Sequence, residues 1–276
     1  MEREGFRFGG MAGDLFLGTA AEYDRHRLPY PAPVVDSLIE VGGLDGTGRL
    51  LDVGCGTGQV FGPLGKYFRE VVAIDPSDEM LEVARRKIAE RRMMNVELRR
   101  LKAEEISSGL GTFRMAIFGA SFHWTDRERV AELVYDRLEA DGVMVVISYP
   151  GVNTENTEWS EAIRKVVEKY LGPERRAGSG VYVRGELHED ALGRTRFAGN
   201  LEARVVMVEE FWTVERIVGW LFSSSFASRA ILGNQARDFE AEVREVLGLY
   251  CSGKGADRGI GRSVKYSLIA GVRKSL

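Results

Sequence analysis

Apolar residues in the first 150 positions fall into short, nearly continuous runs, and between these lie stretches where apolar positions recur every three or four residues. A continuous run of four to six apolar side chains is buried on both faces, as in a parallel strand, whereas the wider spacing buries one face of a helix. The pattern predicts strands at 49–53, 71–74, 96–101, 114–119 and 143–148. It predicts helices at 34–40, after the entry Pro29-Tyr30-Pro31-Ala32-Pro33, at 60–68, from Ser77 to about Arg91, and from Thr125 or Asp126 to about Leu138. Ser77 suits an N-cap, and Asp78 and Glu79 suit the positive end of the helix that follows. Asp141-Gly142 reads as a turn. Regular strand–helix alternation implies a parallel sheet with helices on both faces.

After Pro150 the pattern changes. Residues 158–170 read as helix, and 171–185, rich in Gly, Pro and Arg, as loop. Residues 201–208 alternate like a strand, 213–222 and 239–250 read as helices, and 263–272 as a last strand. The glycine-rich lead-in at 1–13 carries mixed charge and reads as loose.

Composition narrows the classes. The chain has 276 residues, of which 44% are hydrophobic, enough for one large domain or two small ones with a real core. A net charge of -3 gives no general field for nucleic-acid phosphates. Eight Lys and Arg residues between 85 and 102 read as the outer face of a helix and the turn after it, with no interleaved aromatics. Two cysteines, Cys55 and Cys251, imply no disulfide framework, and three scattered histidines no metal site. No apolar stretch has membrane length and no signal peptide is evident, so the expectation is a soluble cytoplasmic protein without membrane or nucleic-acid partners.

Candidate chemistry concentrates in Leu50-Leu51-Asp52-Val53-Gly54-Cys55-Gly56-Thr57-Gly58-Gln59. An apolar strand enters three alternating glycines, and about twenty residues on a second strand, Val71-Val72-Ala73-Ile74, ends on Asp75. A glycine loop lets backbone approach a ligand closely, and an acid at the next strand end accepts ribose hydroxyls. Dinucleotide folds use G-x-G-x-x-G, whereas this loop is G-x-G-x-G, which disfavours a nicotinamide-dependent dehydrogenase.

The loop at Asp52 to Gly58 resembles the signature of class I S-adenosylmethionine (SAM) dependent methyltransferases. The resemblance implies an α/β fold: a Rossmann-like, seven-stranded, mostly parallel sheet with helices on both faces, an antiparallel final strand and an inserted helical cap. It implies an N-terminal lid segment at 1–30, a SAM-binding core at 31–150, and a remainder at 151–276 that completes the sheet at about 201–210 and 263–273. Gly54, Gly56 and Gly58 would pass against the methionine and ribose parts of SAM, the plain alternative being a tight turn. Asp52 would orient the amino group and Asp75 would accept the ribose hydroxyls, unless Asp75 merely caps the following helix. Met80 would stack near the adenine or belong to the core. Ala103 and Glu104 would meet the adenine amino group, unless Glu104 is a solvated acid. Ala120, where strand four ends, completes the cofactor contacts.

The segment from Ala21 to Pro31 resembles the lid of a small-molecule subgroup similar to trans-aconitate methyltransferases. That resemblance places Tyr23 and Arg27 over SAM, with Arg27 on its carboxylate; the alternative is a solvated lead-in. The triplet Phe122-His123-Trp124 matches the same subgroup. His123 is there either the general base or a pocket-shaping residue. His188 reads as surface. Tyr149, Trp159, Tyr182, Phe211, Trp212 and Trp220 either line an acceptor pocket or build core, with Trp220 on the core side. Arg175, Arg176 and Arg184 either meet an acidic acceptor or face solvent. Strand four is not followed by the Asn/Asp-Pro-Pro-Tyr/Phe motif of enzymes that methylate nucleic-acid base amines. The expected function is in-line methyl transfer from SAM, leaving S-adenosylhomocysteine (SAH), to an N, O or C nucleophile of a small molecule. A SAM-binding cyclase or isomerase, or a non-catalytic SAM-binding regulator, remains open.

Overall fold

The computed structural model describes residues 15–276, apart from 175, 178–179, 182–185, 254–257 and 275–276. Its centre is a seven-stranded sheet: β1 (Arg49–Val53), β2 (Glu70–Asp75), β3 (Val96–Arg100), β4 (Phe113–Gly119), β5 (Leu138–Ser148), β6 (Leu201–Thr213) and β7 (Gly259–Val272). The strands lie in the order β3-β2-β1-β4-β5-β7-β6. The first five pair in parallel, and β7 runs antiparallel to both its neighbours. This is the mostly parallel sheet with a reversed final strand that the resemblance implies.

Alternation along each strand divides the core in two. Leu50 of β1 and Val71 of β2 face one layer, packed with Val34 and Leu38 of α2 (Ala32–Gly42), Phe61 and Leu64 of α3 (Phe61–Leu64), and Leu81 of α4 (Asp78–Glu90). Leu51 and Val53 face the other, against Val130 and Val134 of α5 (Arg127–Tyr135) and Leu192 of α7 (His188–Leu192). A third cluster lies beyond the sheet, where α6 (Glu158–Leu171), α8 (Val214–Phe222), the short α9 (Arg229–Leu232) and α10 (Ala236–Leu247) bring together Ile163, Ile217, Leu221, Leu232, Phe239 and Val243. This is the inserted cap. It encloses a buried ion pair between Arg262 and Glu155, with the Arg262 guanidinium stacked 4.2 Å from the Trp212 ring centre.

Helix α1 (Ala20–His26) joins the cap to the core. Lys87 of α4 donates to Asp24 at 2.8 Å, and Glu79 accepts from the Gly18 N–H at 2.7 Å. On its other side the buried His26 lies against Gly219 of α8.

Several boundaries depart from the sequence reading. The helix expected at 60–68 is only α3 followed by a tight turn over Gly65–Tyr67, because Gly62, Pro63 and Gly65 interrupt it. The helix after Asp126 ends at Tyr135, and Leu138 already belongs to β5. The Asp141-Gly142 turn is an irregularity inside β5, with Asp141 at φ 60° and its N–H bonded to the Arg273 carbonyl. Within the expected loop 171–185, Arg176–Ala177 pairs with Gly180–Val181. Both late strands are longer than expected because each side of the β6–β7 ladder supplies the other's hydrogen bonds from 201 to 213 and 259 to 271. Tyr182, Arg175, Arg184 and the lead-in 1–13 lie outside the described residues. No described helix is long and apolar enough to cross a membrane.

Candidate functional site

The carboxyl ends of β1, β2, β3 and β4 open onto one cleft of roughly 780 Å³, open to solvent on one side. Such a position, outside the strand ends of an open α/β sheet, is where ligands bind in this architecture. The floor is the glycine loop, with Gly54 and Gly56 at φ 68° and 54°. A side chain at 54 would strike the Ser121 Cβ at 2.6 Å, so loop and β4 end are in direct backbone-scale contact. Ser121 Oγ strengthens this by donating to the Val53 carbonyl at 2.5 Å. Ala120, also lining the cleft, holds φ 57°, a left-handed backbone that costs an alanine roughly 1 kcal/mol or more.

Asp75 closes the loop. Its Oδ2 accepts from the Gly56 N–H and its Oδ1 from the Ser77 N–H, each at 2.9 Å. Burial pushes this carboxyl above its ordinary range although both N–H bonds act the other way. Two accepted bonds leave lone pairs for a ligand, since a carboxylate offers about four acceptor positions.

The walls are apolar or small. Met80 and Ala103 line one side, with Glu104 at the rim, where its Oε1 accepts from the Asp126 N–H. Aromatic rings continue the wall from Met80: Phe16 and Tyr23 pack in one cluster with it, and Phe16 meets Tyr23 edge-on at 5.9 Å and Trp124 at 6.0 Å. Burial raises the Tyr23 hydroxyl to about 12, with Arg27 opposing, so the phenol is neutral.

Of the residues singled out in the sequence, Tyr23, Gly54, Gly56, Asp75, Met80, Ala103, Glu104 and Ala120 meet at this cleft. Asp52, Gly58, Arg27 and His123 lie behind or beside it. Asp52 sits under the loop, where its Oδ2 accepts from the Phe61 N–H at 3.1 Å. Its Oδ1 is buried with no partner among the described residues, and burial raises the group to about 8. Gly58 abuts the Phe61 ring, which a side chain there would meet at 2.5 Å. Arg27 stacks behind Tyr23, 4.8 Å from its ring centre. His123 occupies the turn Phe122–Trp124, its ring 4.5 Å from that of Trp124 and 6.5 Å from that of His188.

His188, expected at the surface, is half-buried, with one edge of its ring turned inward. Its ring packs 5.4 Å from Phe122, its Nδ1 is buried without a partner among the described residues, and burial beside Arg127 lowers it to about 4. A polar run such as Glu186-Leu187-His188-Glu189 hides which one of its members turns inward. Of the cap aromatics, Trp159, Trp212 and Trp220 are buried core, whereas Phe211 is half exposed. Phe16 and Leu15, which line the cleft, went unnoticed in the sequence, although Leu15-Phe16-Leu17 is the apolar run nearest α1. No described cluster of acids, histidines and cysteines could hold a metal ion.

Residues 50–142 match the family described as "Methyltransferase domain". A Saccharomyces cerevisiae protein named "Probable S-adenosylmethionine-dependent methyltransferase CRG1" is 33% identical over 155 residues, which cover 55% of this chain and 51% of the yeast protein. The match thus spans about half the length of that relative. An uncharacterized methyltransferase-like protein of Schizosaccharomyces pombe is 24% identical over 213 residues, covering 75% and 78% of the two chains. Among solved structures, a candidate type II methyltransferase from Anaeromyxobacter dehalogenans superposes with a TM-score of 0.57 at 20% identity, over 91% of this chain and 99% of that one. A Haemonchus contortus phosphoethanolamine N-methyltransferase, solved with phosphomonomethylethanolamine and SAH, gives 0.53 at 16% identity, over 93% and 57%. At these identities the likeness to solved structures is one of fold.

Proposed function

We propose that this chain, whose residues 50–142 match a methyltransferase domain, belongs to the class I SAM-dependent methyltransferases and catalyses methyl transfer from SAM to a small-molecule acceptor. The observation that carries this reading is Asp75, a buried carboxylate at the cleft whose two bonds to loop and helix N–H groups leave acceptor capacity for a ribose diol. The rest of the cleft fits the same ligand. Met80 offers an apolar face for a purine, and the small residues Gly54, Gly56 and Ala120 leave room for the chain that bears the sulfur. The unpartnered Oδ1 of Asp52 lies under the loop, where it can answer an ammonium through the backbone or a water. Arg27 behind Tyr23 is the group for the ligand's carboxylate, because a guanidinium can make two parallel bonds to it.

SAM, when bound, supplies an activated methyl group on a sulfonium. The chain's own work is then to orient donor and acceptor in line and to exclude water, which accounts for much of the rate in such displacements. The aromatic wall of Phe16, Tyr23 and Trp124 and the cap serve that exclusion. His123 lies outside the cleft wall, so it serves as base only for an acceptor bound on its side of Trp124.

Isothermal titration with SAH tests the reading. Micromolar binding is expected for the wild type, with a loss of about a hundredfold in Asp75→Ala, as befits removal of two charged hydrogen bonds to one diol. Absence of binding by folded wild-type protein overturns it.

A further inference from the structure

We infer that Ser223, which ends the cap helix α8, is a positioning residue of the donor site, because it fixes the orientation of Arg27 from 196 positions away in the sequence. The inference rests on the proposed reading that Arg27 receives the donor's carboxylate.

Ser223 is fully buried. Its single hydroxyl hydrogen goes to the Trp220 carbonyl at 2.7 Å, so toward Arg27 the oxygen can only accept. It takes the Arg27 Nε–H at 2.9 Å. The guanidinium also lies against two rings, 4.4 Å from the Trp220 ring centre and 4.8 Å from that of Tyr23. The main chain of Arg27 is held separately: Gln59 Nε2 donates to its carbonyl at 3.0 Å and to Thr57 Oγ1 at 2.7 Å. The glycine loop therefore sets where Arg27 stands, and α8 sets which way its fork points.

The bond at Nε and the two ring contacts leave the two Nη groups without a protein hydrogen-bond partner among the described residues. A planar fork held at Nε with both Nη groups unspent is the arrangement that receives a carboxylate through two bonds. Preorganisation matters here because an untethered arginine gives up side-chain freedom on binding. The serine bond and the Trp220 stack remove that freedom beforehand. A cap helix thereby contributes to recognition of the donor's amino-acid end, although the family's signature loop lies wholly in the core.

The test compares two ligands of the full chain by calorimetry. SAH carries the carboxylate, while 5′-methylthioadenosine keeps the nucleoside and lacks it. Ser223→Ala is expected to weaken SAH about fivefold to twentyfold and to leave 5′-methylthioadenosine within about twofold, a change no merely structural role produces. Arg27→Ala should weaken SAH further, again without affecting 5′-methylthioadenosine. The double variant should be no weaker than Arg27→Ala alone, since the serine acts only through the arginine. An unchanged SAH affinity in Ser223→Ala overturns the inference. So does an equal loss for both ligands, or a double variant in which the losses add. If the alanine variant binds neither ligand, Ser223→Cys, nearly isosteric and a poor acceptor, is read by the same criteria. If Arg27→Ala itself leaves SAH binding intact, the assignment of Arg27 fails and the role of Ser223 falls with it, whereas intact SAH binding in Ser223→Ala alone overturns only the role of Ser223.

Discussion

Asp52 is the residue whose chemistry is most at odds with its surroundings. Its carboxyl is wholly buried, accepts one N–H bond and leaves Oδ1 unanswered, and burial raises it from 3.8 to about 8. The folded chain therefore binds a proton at Asp52 between about pH 4 and 8 that the unfolded chain has released. Stability from this group is complete below pH 4 and is lost as pH rises toward 8, at most about 1.4 kcal/mol per pH unit. Asp52→Asn should flatten that slope. Thermal melts of the ligand-free protein at pH 5, 6, 7 and 8 check it, and a variant that keeps the wild-type slope assigns the slope to other groups. At this scale the sequence was informative where backbone chemistry is at stake. Asp75 and the glycines announce themselves because a strand end and a loop without side chains carry a physical meaning wherever they occur. Gly58 lies in the same motif, yet its neighbour is the Phe61 ring, a contact that spacing alone does not specify. His188 escaped because burial of one histidine among acids depends on packing, here against Phe122.

The helices α1 and α8 show the same limit one level up. The amphipathic pattern of 213–222 predicts α8, and Thr213 caps it by accepting from the Arg216 N–H. Nothing local states that α1 will lie on it. The close approach depends on Gly219, where a Cβ would fall 2.1 Å from the His26 ring. Gly219→Ala should thus drive α1 away from the cap. The backbone of α8 is helical and gains from alanine, so the cost, about 1–3 kcal/mol, arises at the contact alone. Because Tyr23 and Arg27 move with α1, SAH affinity should fall together with stability. Parallel titration and thermal melts check this, and a variant with wild-type affinity shows that the cleft does not depend on that contact.

At the level of the molecule, the first half of the chain was legible as strands and helices because parallel strands buried on both faces and one-sided helices have distinct periods. The second half was legible as elements but not as a place. Its strands β6 and β7 complete the sheet, while α6, α8 and α10 form a separate apolar cluster around Ile163, Ile217 and Phe239. Which side of the sheet that cluster covers is settled by long-range contacts such as Arg27 to Ser223 and His26 to Gly219. The segment around α1 is tied to α4 through Asp24 and Glu79 and to the cap through Arg27 and His26. Cleft and cap are thus joined twice, by the seven residues of α1 and by Trp212 and Ile260, which carry β6 and β7 into the cap cluster.

The indole of Trp124 is built into the cleft wall and meets the Phe16 ring edge-on, while Trp159, Trp212 and Trp220 are buried. Of the chain's four tryptophans, this one alone lines the space a purine nucleoside would fill. Filling the cleft strips water from that indole, so its emission should dim or shift to the blue in proportion to occupancy, and Trp124→Phe should silence the signal without abolishing SAH binding. The cleft wall is thereby a built-in fluorophore, and the molecule can be titrated with nothing more than ultraviolet light.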